Sequence, residues 1–134
     1  MRKLQCGIIG LGVGSKHLQT LDINKLCNVK SICDLDLKKL SFYKKKYPNI
    51  ITTDNYMEII QDSEIDLVCI ASYDNFHTEQ LIQAIKKNKN IFIEKPICLN
   101  FSEYLKIKNY IKKNKFIQIS SNFVRYKSLN KKIT

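Results

Sequence analysis

Two short segments carry most of the chemistry this chain can offer. Gly10-Leu11-Gly12-Val13-Gly14-Ser15-Lys16-His17 follows directly on an apolar run from Cys6 to Ile9. A glycine-rich turn between a strand and a helix lets backbone N–H groups approach a pyrophosphate, and the helix N-terminus favours its charge. The second segment, Ile91-Phe92-Ile93-Glu94-Lys95-Pro96, is an apolar strand ending on a lysine between a carboxylate and a proline. At the carboxyl end of a parallel strand, Lys95 faces the crevice where ligands of open α/β sheets bind. There an ammonium hydrogen-bonds a substrate hydroxyl and lowers the cost of its proton loss. Glu94 is expected to orient or tune that lysine, and Pro96 to fix the turn. A phosphate cradle and an ammonium donor on one rim imply a redox enzyme, or the cofactor half of one.

Asp34 ends the next apolar run, ~20 residues beyond the glycines, where an acid accepts hydrogen bonds from an adenosine ribose diol. The same carboxylate repels a 2′-phosphate, so NAD is expected in preference to NADP. Lys38 and Lys39 stand close enough to act the other way. The simpler alternative makes Asp34 a strand-end turn residue, or a helix cap together with Asp36. The glycines read G-x-G-x-G rather than the commoner G-x-G-x-x-G, one residue shorter between Gly12 and Gly14.

The elements that must position these residues alternate along the chain. Apolar strand runs fall near residues 4–9, 29–33, 50–52, 67–71, 91–93 and 116–120. Most are continuous rather than alternating, as parallel strands covered on both faces should be. Helix-period stripes lie between them: Leu37, Leu40, Tyr43 and Tyr47 closed by Pro48; Tyr56, Ile59 and Ile60; Leu81, Ile82 and Ile85; and Phe101, Tyr104, Leu105 and Ile111. Asn100 and Glu103 read as a capping box ahead of the last. The expected fold is α/β: a single doubly wound, Rossmann-type parallel sheet with helices on both faces and strand order 3-2-1-4-5-6.

Composition narrows the class further. At 134 residues with 44% hydrophobic content the chain suits one globular domain. No apolar run approaches the ~20 residues of a membrane helix, and no targeting signal is evident, which points to the cytoplasm. Five cysteines, Cys6, Cys27, Cys33, Cys69 and Cys98, show no paired or metal-like spacing, so free thiols and no metal are expected. Cys98 stands near enough to Lys95 to be weighed as a reactive thiol, against the commoner role of packing. The formal charge of +11 is almost wholly lysine, gathered as Lys44–Lys46, Lys86, Lys87 and Lys89, and Lys112, Lys113 and Lys115. At helix ends these suit the negative end of the helix dipole and a solvated face. Poverty in arginine argues against a nucleic-acid surface.

The chain resembles the N-terminal domain of the Gfo/Idh/MocA oxidoreductases. The likeness rests on residues 10–17, 31–36 and 65–72, on His77, on residues 84–90, on Ile91 through Pro96, and on residues 121–126. It implies NAD-dependent oxidation or reduction of a sugar, cyclitol or similar alcohol, with Lys95 catalytic beside Glu94. The implied cofactor-binding set is Gly10, Gly12, Val13, Gly14, Asp34, Ser72, His77, Glu94 and Lys95. His77 matches a family histidine near the nicotinamide, with packing at a helix start as its alternative; His17 matches one expected to be structural. Tyr73-Asp74 departs from the family's frequent Pro-Asn. Residues 1–120 read as the dinucleotide domain and 121–134 as the start of a connection to a substrate domain that is absent. The isolated chain is then expected to bind the dinucleotide, to turn over alcohols negligibly, and to associate through apolar surface around residues 116–126. Two rivals stand beside this reading. An S-adenosylmethionine methyltransferase shares the glycine turn but wants an acid where Ile8 stands and leaves Glu94-Lys95-Pro96 unexplained. A dinucleotide-sensing or nucleic-acid-binding module would use the lysine faces.

Overall fold

Ile8 and Ile9 are neighbours in sequence and lie in different cores. That division, repeated at Val68, Cys69 and Ile70, makes the sheet a central layer with apolar side chains on both faces. The computed structural model describes residues 1–114 and 118–121. Its strands are β1 (Leu4–Ile9), β2 (Cys27–Cys33), β3 (Ile51–Thr53), β4 (Leu67–Ile70), β5 (Asn90–Ile93) and β6 (Ile119–Ser121). The helices are α1 (Gly14–Ile23), α2 (Leu37–Lys46), α3 (Tyr56–Gln61), α4 (His77–Lys86) and α5 (Phe101–Lys113). All pairings are parallel, in the order β3-β2-β1-β4-β5-β6, as the alternating pattern predicts.

One core gathers Ile8, Leu18, Ile32, Leu40 and Cys69 under α1 and α2. The other joins Ile9, Ile60, Ile70, Leu81, Ile85 and Ile93 under α3 and α4. Fully buried isoleucines such as Ile8 and Ile32 each contribute about 1.5–3 kcal/mol relative to exposure. Cys6, Cys33 and Cys69 are buried, and burial pushes each thiol up to about 12, so they act as small hydrophobes. Cys98 is half-buried and packs against the second core. No helix among the described residues is long and apolar enough to cross a membrane.

Several expectations need correction. β2 begins at Cys27, because Leu4 pairs with it across the ladder, and β3 runs 51–53 rather than 50–52. In α2, Leu37 is 65% exposed at the first helical position, and Leu40 alone is buried. The expected stripe of α5 faces outward: Phe101, Tyr104, Leu105 and Ile111 are all exposed. The helix instead turns Ile107 into the core, with Tyr110 packed against it. Asn100 accepts from the Glu103 N–H as the expected box requires, and the Glu103 carboxylate also accepts from the Leu99 N–H and the Thr78 hydroxyl. Lys89 is buried rather than solvated, its ammonium donating to the carbonyls of Asp62 and Ile65. The strand expected at 116–120 overlaps β6 at residues 119–120, whereas residues 115–117 and everything from residue 122 onward, with most of the apolar surface and connection expected there, lie outside the described residues.

The opening of the sheet is pinned by Asp66. Its carboxylate accepts from the Gln5 N–H at 2.8 Å and pairs with Arg2 at 3.0 Å. The Gln5 N–H first, and Arg2 after it, hold the Asp66 carboxyl below the usual carboxylate range. A depressed folded value contributes stability above the unfolded value near ~3.9, and this is lost as pH falls through the folded one. In Asp66→Asn, the urea midpoint should therefore fall less than in the wild type between about pH 5 and pH 2.

Candidate functional site

The parallel sheet brings the ends of β1, β2, β4 and β5 to one rim, and with them Gly10, Asp34, Ser72, Glu94 and Lys95. The glycines there have three different reasons to be glycine. Gly10 has φ +91°, and a Cβ on it would stand 2.5 Å from the Ala71 carbonyl oxygen, so both strain and space exclude a side chain. Gly14 lies under the start of α1, where a Cβ would press Ile8 at 3.1 Å and Ala71 at 3.3 Å. Gly12 meets nothing within 4 Å, so its open face is free for a ligand. Tight turn, close ligand approach and helix–strand packing are the three tasks of a dinucleotide-binding glycine turn. The shorter spacing therefore still supplies all three.

Donors are ready at the same place. Ser15 and Lys16 N–H groups bond back to Gly12 and Val13, but those of Gly12, Val13 and Gly14 have no partner among the described residues. Three free N–H groups at a helix N-terminus favour an anion. Asp34 accepts from the Leu11 N–H at 2.8 Å and the Asp36 N–H at 2.8 Å, so it ties the glycine turn to the end of β2. A carboxylate has about four acceptor sites, which leaves room for a ribose diol. Asp36, not Asp34, caps α2 through the N–H groups of Lys38 and Lys39.

Lys95 lies just beyond β5, exposed, and its ammonium pairs with no carboxylate among the described residues. Glu94 does not hold it. The Glu94 carboxylate is bonded to His17 Nε2 at 2.7 Å, and the His17 ring meets Phe92 edge-on at 5.0 Å. His77 opens α4 as expected and is only 1% exposed. Its Nδ1 lies 2.6 Å from the Pro96 carbonyl and its Nε2 2.9 Å from that of Ser72, so both nitrogens face backbone. The Ser72 hydroxyl donates to Gln80. Tyr73 adopts φ −63°, the value a proline ring would impose, so the turn follows its path without one. His17, expected from the sequence to be structural, has the Glu94 carboxylate as its partner, which no local pattern announced.

A groove of about 560 Å³ lies between α2 and β3, lined by residues that include Leu37, Thr52 and Asp54, and Asp34 borders it through its N–H bond to the Thr53 carbonyl. No group of three or more His, Cys, Asp or Glu side chains among the described residues could hold a metal ion.

A family model described as oxidoreductase family, NAD-binding Rossmann fold (Gfo/Idh/MocA), matches residues 4–123. The chain belongs to this family. Over 101 residues it is 31% identical to myo-inositol 2-dehydrogenase of Thermotoga maritima, covering 75% of this chain and 30% of that protein. It is 26% identical over 126 residues to inositol 2-dehydrogenase of Salmonella typhimurium, covering 91% and 37%. Among solved structures, myo-inositol 2-dehydrogenase from Lactobacillus plantarum superposes with a TM-score of 0.84 at 30% identity, over 90% of this chain and 36% of that one. The fold is shared with scyllo-inositol dehydrogenase from Lactobacillus casei, solved with NAD(H) and scyllo-inositol, at TM-score 0.84 and 23% identity. This Gfo/Idh/MocA chain thus spans about a third of the length of the relatives it matches. Its Rossmann fold is the family's NAD-binding domain.

The contrast between Gly10 and Gly12 is testable. Gly12→Ala meets no protein atom and should change stability by less than ~0.5 kcal/mol, while weakening NADH binding measured by fluorescence. Gly10→Ala forces a strained φ against the Ala71 carbonyl and should cost about 1–3 kcal/mol in a urea melt.

Proposed function

We propose that this domain binds NAD across the rim between β1 and β4 and presents Lys95 to the hydroxyl of a cyclitol or similar polyol. The observation that carries this is the set of free Gly12, Val13 and Gly14 N–H groups beside Asp34, with Lys95 on the same edge. Inositol dehydrogenases recur among the relatives, which supports the substrate class. The three N–H groups hold the pyrophosphate, and Asp34 accepts from the adenosine ribose. When bound, NAD supplies the acceptor for the hydride that leaves the alcohol carbon. Lys95 Nζ hydrogen-bonds the substrate oxygen and stabilises the charge that develops as its proton departs. Ser72 and His77 shape the nicotinamide end through backbone carbonyls rather than by offering a free ring nitrogen.

Positioning an alcohol against the rim is worth about 7–11 kcal/mol. Residues 121–134 fit the start of a passage to a further substrate-holding domain. Alone, these 134 residues should bind NADH and turn over polyols negligibly.

Tyrosine-to-NADH energy transfer tests the binding half, since the chain has seven tyrosines and no tryptophan. NADH should saturate the signal, and NADPH should bind at least about tenfold more weakly, a difference of ~1.4 kcal/mol. Asp34→Asn should narrow that gap by removing the charge opposed to a 2′-phosphate. Equal or better NADPH binding by the wild type would refute the Asp34 assignment and favour Lys38 or Lys39. Binding that responds to DNA and salt, with no NADH signal, would refute the whole reading. In a panel of inositols and sugars, Lys95→Ala should remove ~10²–10⁴-fold of any NAD-dependent turnover measured. Retained turnover would take the catalytic role from Lys95.

A further inference from the structure

The chain contains two histidines, and each grips a residue adjoining Lys95. On one side, His17 bonds Glu94 at 2.7 Å, with the two side chains 24% and 13% exposed. On the other, His77 reaches the Pro96 carbonyl at 2.6 Å and anchors to the Ser72 carbonyl at 2.9 Å. Lys95 itself makes no ion pair among the described residues, and its side chain is long and exposed. Its direction therefore depends on the backbone at residues 94 and 96.

We propose that His17 and His77 are positioning residues for Lys95, acting from opposite sides on the turn that carries it. This rests on the functional reading of Lys95 given above. His17 sits on α1, the helix whose first turn holds the free N–H groups, so the bond to Glu94 links the anion-facing helix to the lysine turn across β4. Its ring also packs on Phe92, which fixes its rotation. His77 opens α4 and spans from the end of β4 to the residue after Lys95. Whichever ring nitrogen carries the proton, His77 donates to one of the two rim turns. Glu94 adds a third tie, its N–H donating to the Ile70 carbonyl at 2.9 Å. Loss of His17 frees the Glu94 side chain, and loss of His77 frees the Pro96 carbonyl, so each removes one of the three ties on the turn.

The inference is tested by ¹⁵N relaxation of the full chain, which needs no cofactor. In the wild type the Lys95 and Ile97 amides should show order parameters near ~0.85, those of rigid backbone. In His17→Leu and His77→Leu they should fall below ~0.6, with β1 and β4 unchanged. His17→Gln and His77→Gln, which keep a donor, should recover most of the order. Glu94→Ala should mimic His17→Leu without altering α1. Unchanged values at Lys95 and Ile97 in the leucine variants would overturn the proposal. So would a loss of order spreading through β1 and β4, a loss of the fold in either leucine variant, or failure of glutamine to rescue, each of which marks a packing role. An NADH titration of the wild type run alongside separates the two claims: silence there counts against the dinucleotide reading and leaves the relaxation result standing.

Discussion

The rim depends on the approach of Gly10 to the end of β4. β1 and β4 are neighbours, but the chain leaves β1 towards β2 and leaves β4 towards β5, so their continuations diverge. A crevice opens where they part. Its floor is the contact between the Gly10 backbone and the Ala71 carbonyl, closed by the Ala71 N–H donating to Ile9 at 2.8 Å. A side chain at residue 10 would push the strands apart at the point where the glycine turn must start. The directions of α1, the free N–H groups and the Asp34 tie to Leu11 all follow from that contact.

Hydrogen bonding around this crevice shows which groups are committed and which are spare. Asp34, Glu94, His17, Ser72 and His77 each have an internal partner, and the bonds of Asp34 to Leu11, His17 to Glu94 and His77 to Pro96 join segments far apart in the chain. Among the described residues, the groups left without one are the N–H groups of Gly12, Val13 and Gly14 and the Lys95 ammonium. Preorganised donors supported by satisfied neighbours are what a site for an anionic cofactor and a polarised oxygen requires.

Much of the framework was legible in the sequence, for identifiable reasons. Continuous apolar runs such as 67–70 have no polar face, which suits only strands covered on both sides. The glycines, Asp34 and Lys95 declare themselves because each sits at a strand end, a position defined by local pattern. What stayed hidden depends on rotation and on distant partners. The His17–Glu94 bond joins residues 77 apart, and nothing local to either tells how α1 is turned. Lys89 looks like one more surface lysine until two carbonyls from the preceding connection are seen to receive it. α5 carries apolar residues on more than one face, so periodicity selected Phe101 and Leu105 where packing selected Ile107.

The flanks of the sheet have a consequence of their own. β3 and β6 each run for three residues, and β3 ends the order on one side and β6 on the other. Just ahead of β3, Lys44 donates to the Ile50 carbonyl at 2.8 Å, placing a cation at the entry to this end strand. Three rungs and a charged guard make a poor template for growth from copy to copy. A formal charge of +11 adds mutual repulsion between identical molecules. At the β3 border the sheet can therefore resist lateral polymerisation without a long strand being sacrificed to guard it.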